Sequence, residues 1–360
     1  MLQIKNLTVT LTKDLRTIID GLSFTLNDGD RAVVIGEEGN GKSTLLKLIY
    51  DPSLVAGYAE YTGDIVARGT RFGYLSQELG DAEKALRVCD YFSAVTGFYD
   101  TAPGELNQAA YRLGLPVGLY FSEQKVGVLS GGERVKLQLL KILIEKPDVL
   151  LLDEPSNDID IETLEWLEGF ITASAMPILY VSHDETLIEN TANVVIHIEQ
   201  VRRKTLPRCT VAKIPYREYI DSRLGKLARQ EQNARKEHSE HDAKLERFRK
   251  IQQKVAHEQE TISRGDPHGG RLLKKKMKAV KSLEHRLVRE SDGMTQLPDV
   301  EEAILVKFDG SVSVPNGKMI LGLVLDELKA GDRVLSKNIR LNVTGPEKSW
   351  IIGRNGVGKT

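Results

Sequence analysis

Residues 33–44 read VVIGEEGNGKST, and the reading of the fold starts from them. The spacing from Gly36 to Ser43 is GxxxxGK[ST]. An apolar run, Arg31 to Ile35, stands before it, and the amphipathic stretch Thr44 to Tyr50 follows. A buried strand, a glycine turn and a helix in that order make a phosphate-binding loop and an α/β fold of the P-loop type. Gly36, Gly39 and Gly41 let the backbone curl with its amides inward, and Asn40 and Thr44 belong to the same loop. Lys42 is predicted to reach the β and γ phosphates, with the Ser43 hydroxyl on Mg²⁺.

Further along, Val149-Leu-Leu-Leu-Asp-Glu-Pro155 predicts a central parallel strand ending in two acids. Asp153 suits a role at Mg²⁺, and Glu154 suits a general base for an attacking water. Between loop and strand lies Leu129-Ser-Gly-Gly-Glu133, opening the helical run RVKLQLLKILIEK; Ser130, Gly131 and Gly132 offer a hydroxyl and bare amides at a helix start. Gln77 follows the apolar stretch FGYLS, and His183 sits in Ser-His-Asp after ILYV. In this order the motifs resemble an ATP-binding cassette (ABC) ATPase domain over roughly residues 1–205. The resemblance implies ATP and Mg²⁺ as ligands, and Ser43, Gln77 and Asp153 around the metal. It implies Gln77 and His183 beside Glu154 in catalysis, with His183 at the γ-phosphate. Ser130 to Glu133 become the signature that closes over nucleotide held by a partner domain, and Asp160 part of the loop that communicates between domains. Two departures stand out. No aromatic occurs in Val9 to Leu15, where ABC domains usually stack adenine, and Asp158 stands where tandem members often carry His.

The chain repeats itself. Residues 353–360 read GRNGVGKT, a second phosphate loop 317 residues after the first, with Gly353, Gly356, Gly358, Lys359 and Thr360 as its binding residues. A Gly-Asp step precedes an apolar run in each copy, at Asp28 to Arg31 and at Ala330 to Arg333. The expected organisation is therefore a first ABC domain (1–205), a helical linker (206–298) and the opening β-rich part of a second domain (299–360). A phosphate loop needs the helix that follows it, so the expectation is a fragment of a longer protein. The resemblance pairs two domains face to face, so Lys42 and Glu154 would work against a signature supplied by the second domain or by a second copy. A single copy would then bind ATP and turn it over poorly.

The linker separates two kinds of ABC protein. From Leu224 to Val255 an apolar and His-containing seam recurs at three- and four-residue steps, and a second runs from Leu273 through Met277, Val280 and Leu283 to Leu287. Between them lie Gly265-Asp-Pro and Gly269-Gly270, so the expectation is an antiparallel helical hairpin turning near residues 264–270. Its first helix, at 1.5 Å per residue, extends on the order of 70 Å. Residues 217–290 hold 20 Lys and Arg against 12 Asp and Glu in a chain of net charge -1. Arg264, Arg271, Lys274 to Lys276, Lys278 and Lys281 cluster near the turn, which points to a polyanionic partner. Two ABC domains joined by a basic hairpin resemble the ABC-F class. That resemblance implies a ribosome partner met near the exit and peptidyl-tRNA sites, with rRNA and tRNA against the linker, and a role in translation or in antibiotic displacement. The alternative is the ATPase subunit of a membrane ABC transporter, and a third reading is an ATP-clamped RNA-binding scaffold. The N-terminus has no signal-peptide pattern and no 18-residue apolar run occurs, so the expected setting is the cytoplasm without a membrane partner. Cys89 and Cys209 are too isolated for a disulfide framework or a zinc site.

Overall fold

The computed structural model describes residues 1–201, 206–261, 267–295, 315–330, 333–349 and 353. The chain divides into two compact units, one of Met1–Tyr219 with Glu301–Thr360, the other Ile220–Val300.

In the first unit the chain runs through β1 (Leu2–Leu11), β2 (Thr17–Leu26), β3 (Arg31–Ile35), α1 (Lys42–Tyr50), β4 (Ala59–Val66) and β5 (Phe72–Leu75). Next come α2 (Asp81–Ala85), α3 (Val88–Ser93), α4 (Pro103–Arg112) and α5 (Gly131–Ile144), a helical insertion between β5 and β6 (Val149–Asp153). Then follow α6 (Ile161–Ala173), β7 (Ile178–Val181), α7 (Glu185–Thr191), β8 (Val194–Gln200) and β9 (Leu206–Ala212). Six strands form one sheet in the order β5-β6-β7-β3-β8-β9, all parallel except β9. Strands β6, β7 and β8 are buried along their whole length. Uninterrupted apolar runs such as VLLLD are what a strand covered on both faces requires. Beside it, β2-β1-β4 make an antiparallel sheet, and Leu45, Leu46, Leu48 and Ile49 of α1 fill the shared core with Ile4, Val34, Leu151 and Ile196. Strand β3 is central, so the loop after it emerges at the carboxyl edge of the sheet, beside the ends of β6 and β7. That edge is where open α/β sheets hold ligands.

The second unit is built on α8 (Tyr216–Thr261), whose first residues belong to the first unit, and α9 (Pro267–Asp292). His241 Nε2 lies 3.2 Å from Leu287 O, Lys244 pairs with Glu290 at 2.9 Å and Glu258 with Lys276 at 2.6 Å, so the two helices run antiparallel. Phe248 and Leu287 are buried in their seam, with Met277, Val280 and Leu283 half-buried, and Ala234 is buried nearer the start of α8. Two details of the expected hairpin change. Gly269 and Gly270 do not break the chain: α9 already begins at Pro267, the residue type suited to a first helical position. His238 faces solvent, and Glu237 turns inward instead. Its carboxylate accepts from Thr295 N at 2.7 Å and from Thr295 Oγ1 at 3.1 Å, which holds it well below the usual carboxylate range. Residues 262–266, with Arg264, lie outside the described residues.

Strands β10 (Met319–Ala330) and β11 (Arg333–Thr344) form a hairpin that repeats β1 and β2. The 317-residue offset holds through β2 and β11. Gly21 (φ 60°) and Asn338 (φ 54°) take the same left-handed backbone. Asp30 N donates to Asn27 O, and Glu347 N to Thr344 O, closing the same turn. Each acid also accepts from the backbone N–H three residues back, at 2.9 Å from Asn27 and 3.3 Å from Thr344. One matching from the sequence is therefore wrong. Ala330 ends β10 and Arg333 begins β11, paired with each other, while Gly331 and Asp332 lie outside the described residues, so the counterpart of Asp28 to Arg31 is Gly345 to Lys348. Two Gly-Asp pairs look alike in sequence, and only the pairing of the strands that flank them tells the two positions apart.

Candidate nucleotide site

The loop between β3 and α1 is shaped by close approaches that exclude side chains. A Cβ on Gly36 (φ 148°) would lie 2.2 Å from Ile198 O, and one on Gly41 (φ 90°) 2.6 Å from Ile18 Cδ1. Gly39 turns at φ 78°. Asn40 Nδ2 donates to Ile198 O at 3.0 Å, tying the loop to β8. Lys42 is buried, and its ammonium donates to Gly36 O at 2.7 Å and Glu37 O at 3.0 Å. A cation is thus held within a glycine turn that leads into a helix start, the arrangement that receives a phosphate.

Strand β6 delivers the two acids beside that loop. Ser43 Oγ donates to Asp153 Oδ1 at 2.8 Å, and Tyr74 OH to Asp153 Oδ2 at 3.2 Å. Burial raises the Asp153 carboxyl, and burial together with that carboxyl pushes the Tyr74 phenol up. Glu154 is only 6% exposed and adopts φ 51°, a left-handed backbone that costs a non-glycine residue free energy. Its N–H donates to Val181 O at 3.0 Å, so the end of β7 fixes the bend. Oε1 is 3.2 Å from His183 Nε2, while Oε2 is buried with no hydrogen-bond partner among the described residues. Burial raises the Glu154 carboxyl; His183 and Lys42 pull it partly back. His183 itself is 52% exposed, on the segment where Ser182 and Asp184 start α7.

A cleft of about 410 Å³ gathers Gly39, Gly41, Lys42, Ser43, Gln77, Glu154 and His183, with Leu11 and Ile18 as its apolar wall. Seven predicted residues from four separate segments therefore meet. Gln77 sits on the exposed loop after β5 and also borders a second cleft of about 260 Å³, with Gly131, Arg134 and Asp158. Ser130, Gly131, Gly132 and Glu133 are not brought to Lys42. Ser130 caps α5 instead: its Oγ accepts from Glu133 N at 3.3 Å, and Glu133 Oε2 accepts from Ser130 N at 2.9 Å and Oγ at 2.8 Å. Gly132 has a packing reason as well, since a Cβ there would lie 2.4 Å from Thr163 Oγ1. Asp160 caps α6, accepting from Thr163 N at 2.9 Å. Asp158 takes φ 56°, a conformation Asp tolerates better than most residues. Of the second loop, Gly353 is described, and Gly356, Gly358, Lys359 and Thr360 lie outside the described residues.

Sequence reasoning missed Tyr74, Asn157 and Arg16. Tyr74 was legible in principle, because alternation along β5 puts it on the face opposite the buried Gly73 and Leu75. Asn157 lines the cleft and Arg16 Nη2 lies 3.5 Å from Gly39 O, each from a loop whose course no pattern reports.

The comparisons bear on this geometry directly. Residues 19–157 match the ABC transporter family. The chain carries an ABC-type ATP-binding domain. Its relatives include the uncharacterized ABC transporter ATP-binding protein YfmR of Bacillus subtilis, 32% identical over 53% of this chain and 30% of that protein. The ATP-binding protein Uup of Escherichia coli K12 is 27% identical over 95% of this chain and 54% of its own length. The ribosome protection protein VmlR of Bacillus subtilis is 31% identical over 53% of this chain and 33% of that protein. Uup and VmlR are of the ABC-F type, the class the sequence resembles, and the fold is the P-loop α/β fold expected from residues 33–44. The chain spans at most about half the length of the three relatives. Among the described residues no helix is long and apolar enough to cross a membrane.

Proposed function

We propose that this ABC-type domain binds and hydrolyses MgATP, and that the hairpin of α8 and α9 couples nucleotide state to binding on the ribosome. The observation that carries the first part is the convergence of Lys42, Ser43, Asp153, Glu154 and His183 on one cleft. Backbone amides from Gly36 to Gly41 and the Lys42 ammonium take the phosphates. Ser43, Asp153 and Gln77 present only oxygen donors, which suits Mg²⁺, an ion that bridges phosphate oxygens and offsets their charge. Glu154 accepts the proton of an attacking water. Its raised pKa makes it a better base than a solvated glutamate, and His183 at 3.2 Å orients it. The unpartnered Oε2 leaves a lone pair for that water.

Ser130, Gly132 and Asp160 act across a domain interface, where Ser130 presents a capped helix start to the phosphates of a facing domain. That domain is the second ABC domain or another copy of this chain. The ribosomal part rests on the antiparallel basic hairpin and on similarity to a ribosome protection protein. Arg271, Lys274 to Lys276, Lys278 and Lys281 give it an electrostatic footprint for rRNA or tRNA phosphates. The test is co-sedimentation of the Glu154→Gln protein with ribosomes in ATP. Retention that needs ATP and fails after charge reversal at Lys274 to Lys276 supports the reading; copurification with a membrane permease and no ribosome retention returns the transporter reading.

A further inference from the structure

Asp153 is held at both oxygens of its carboxylate. Ser43 Oγ donates to Oδ1 at 2.8 Å and Tyr74 OH to Oδ2 at 3.2 Å. Ser43 lines the cleft, whereas Asp153 is 1% exposed and lies behind it. A serine hydroxyl has one hydrogen and two lone pairs. With the hydrogen turned to Asp153, the lone pairs are left for the cleft, which is the state a cation needs. Whatever fixes Asp153 therefore also fixes the way Ser43 presents itself.

The fold makes Tyr74 the group that fixes it. Strands β5 and β6 pair in parallel with Tyr74 beside Leu151 and Leu75 beside Leu152. Asp153 follows Leu151 by two residues, so Tyr74 and Asp153 lie on one face of the sheet. On the other face a Cβ at Gly73 would lie 2.2 Å from Ile142 Cγ2 of α5. Strand β5 is thus pressed against α5 on one side and turns Tyr74 toward α1 on the other. There its ring stacks on Tyr50, with centroids 5.1 Å apart and planes at 28°. Helix α1 carries Ser43 in its first turn and Tyr50 as its last residue. One helix therefore sets both the hydroxyl that meets Asp153 Oδ1 and the ring that brings a hydroxyl to Oδ2. Burial opposes the charge on Asp153; the two hydroxyls, then Lys47 and Lys42, favour it.

We propose that Tyr74 is a positioning residue for the metal of this site: its phenol locks the Asp153 carboxylate so that the Ser43 hydroxyl presents its lone pairs to Mg²⁺. The inference deepens the MgATP reading above and rests on it. Groups that orient a metal ligand without touching the metal tune metal affinity by about 10- to 100-fold. Loss of the Tyr74 hydroxyl leaves Oδ2 buried without that donor, so the carboxylate turns and the Ser43 hydrogen follows it. The Lys42 ammonium and the loop amides do not depend on this hydroxyl. Tyr74 therefore acts on the metal and not on the phosphates.

The experiment measures ATP dissociation constants in excess Mg²⁺ and in EDTA, and takes their ratio as the coupling between metal and nucleotide. The whole chain is compared as wild type, Tyr74→Phe, Asp153→Asn and the double variant, each checked for a cooperative urea transition. Tyr74→Phe keeps the ring and its stacking on Tyr50. The expected result is a coupling ratio about tenfold below wild type in Tyr74→Phe, with the EDTA dissociation constant unchanged. In the Asp153→Asn background Tyr74→Phe brings no further loss, because the two residues act as one unit. An unchanged ratio in Tyr74→Phe overturns the proposal. So does an equal loss of ATP affinity in EDTA, which makes Tyr74 a structural residue, or a loss that adds in full to that of Asp153→Asn. A wild type that binds ATP equally well in Mg²⁺ and in EDTA, or binds none, overturns the MgATP reading itself.

Discussion

At the scale of single residues, Glu154 carries the most information. It is buried, kinked into a left-handed backbone, and has one oxygen without a hydrogen bond. Its folded pKa stands above the ordinary 4.5 because of burial, so the folded chain holds that proton more tightly than the unfolded chain. Its contribution to stability is therefore best below 4.5 and declines as pH rises through the folded value. Glu154→Gln removes the charge and keeps the shape. We expect it to be more stable than wild type at pH 7 by about 1 kcal/mol, the scale of an unsatisfied buried polar group, and the advantage to vanish below pH 4.5 in calorimetry across that window. The same variant should retain MgATP and lose hydrolysis by at least about a hundredfold. In the wild type, the acid limb of the hydrolysis profile should fall above pH 4.5. Gly132 gives a second residue-scale prediction. Gly132→Ala meets Thr163 Oγ1 at 2.4 Å and should cost about 2 kcal/mol as overpacking, with Thr163→Ala recovering much of it in a double-mutant cycle. The acids, Lys42 and the glycines were legible in the sequence because their chemistry fixes their order along the chain. For Tyr74 the alternation along β5 gives the face but not its partner Asp153, and Arg16 was not legible, because its contact with Gly39 O joins separate segments.

Elements show how the site is braced. Strand β8 passes beneath the phosphate loop, where Ile198 O receives Asn40, and one residue earlier the buried His197 meets Tyr219 OH at 2.8 Å at the start of α8. Arg217 pairs with Glu189 of α7 at 2.9 Å, so the root of the long helix grips the helix that follows His183. Tyr219→Phe should lower the stability of the Met1–Tyr219 unit by about 1 kcal/mol, the net worth of a buried hydrogen bond, measured by urea unfolding. In the helical hairpin, Phe248→Ala should cost about 3 kcal/mol through the cavity it leaves. Hydrogen exchange should then accelerate in α8 and α9 from residue 234 onward and stay unchanged in β3, β6 and β7. The heptad pattern located both helices, yet it assigned His238 to the seam where Glu237 belongs. A side chain's turn inward there depends on Thr295, which no periodicity within α8 reports.

On the scale of the whole molecule, the proposed reading gives one chain two functions, one for the cleft at the sheet edge and one for the basic helical hairpin. If phosphate contacts hold the hairpin to RNA, reversing Lys274, Lys275 and Lys276 to Glu should abolish ribosome co-sedimentation at about 150 mM salt while leaving the MgATP dissociation constant unchanged. Wild-type binding should weaken by at least tenfold for each doubling of salt if about four phosphates are contacted. A flat salt dependence counts against RNA as the partner surface. The repeat gives this scale its symmetry, since the β10–β11 hairpin keeps the left-handed residue and the acid-capped turn of β1–β2 at the same offset.

The sequence by itself determined the P-loop α/β class, the ABC motifs in their order, the repeat and the helical hairpin, because each is a local pattern of residue types with a short-range physical cause. Tertiary structure alone decided which side chains meet: that Ser43 and Tyr74 share Asp153, that His183 backs Glu154, that Gly132 is pressed by Thr163, and that Arg16 lies over Gly39. Those contacts join residues up to 110 positions apart. Their geometry is set by strand order and by packing against the common core, which residue spacing along one strand or helix does not encode.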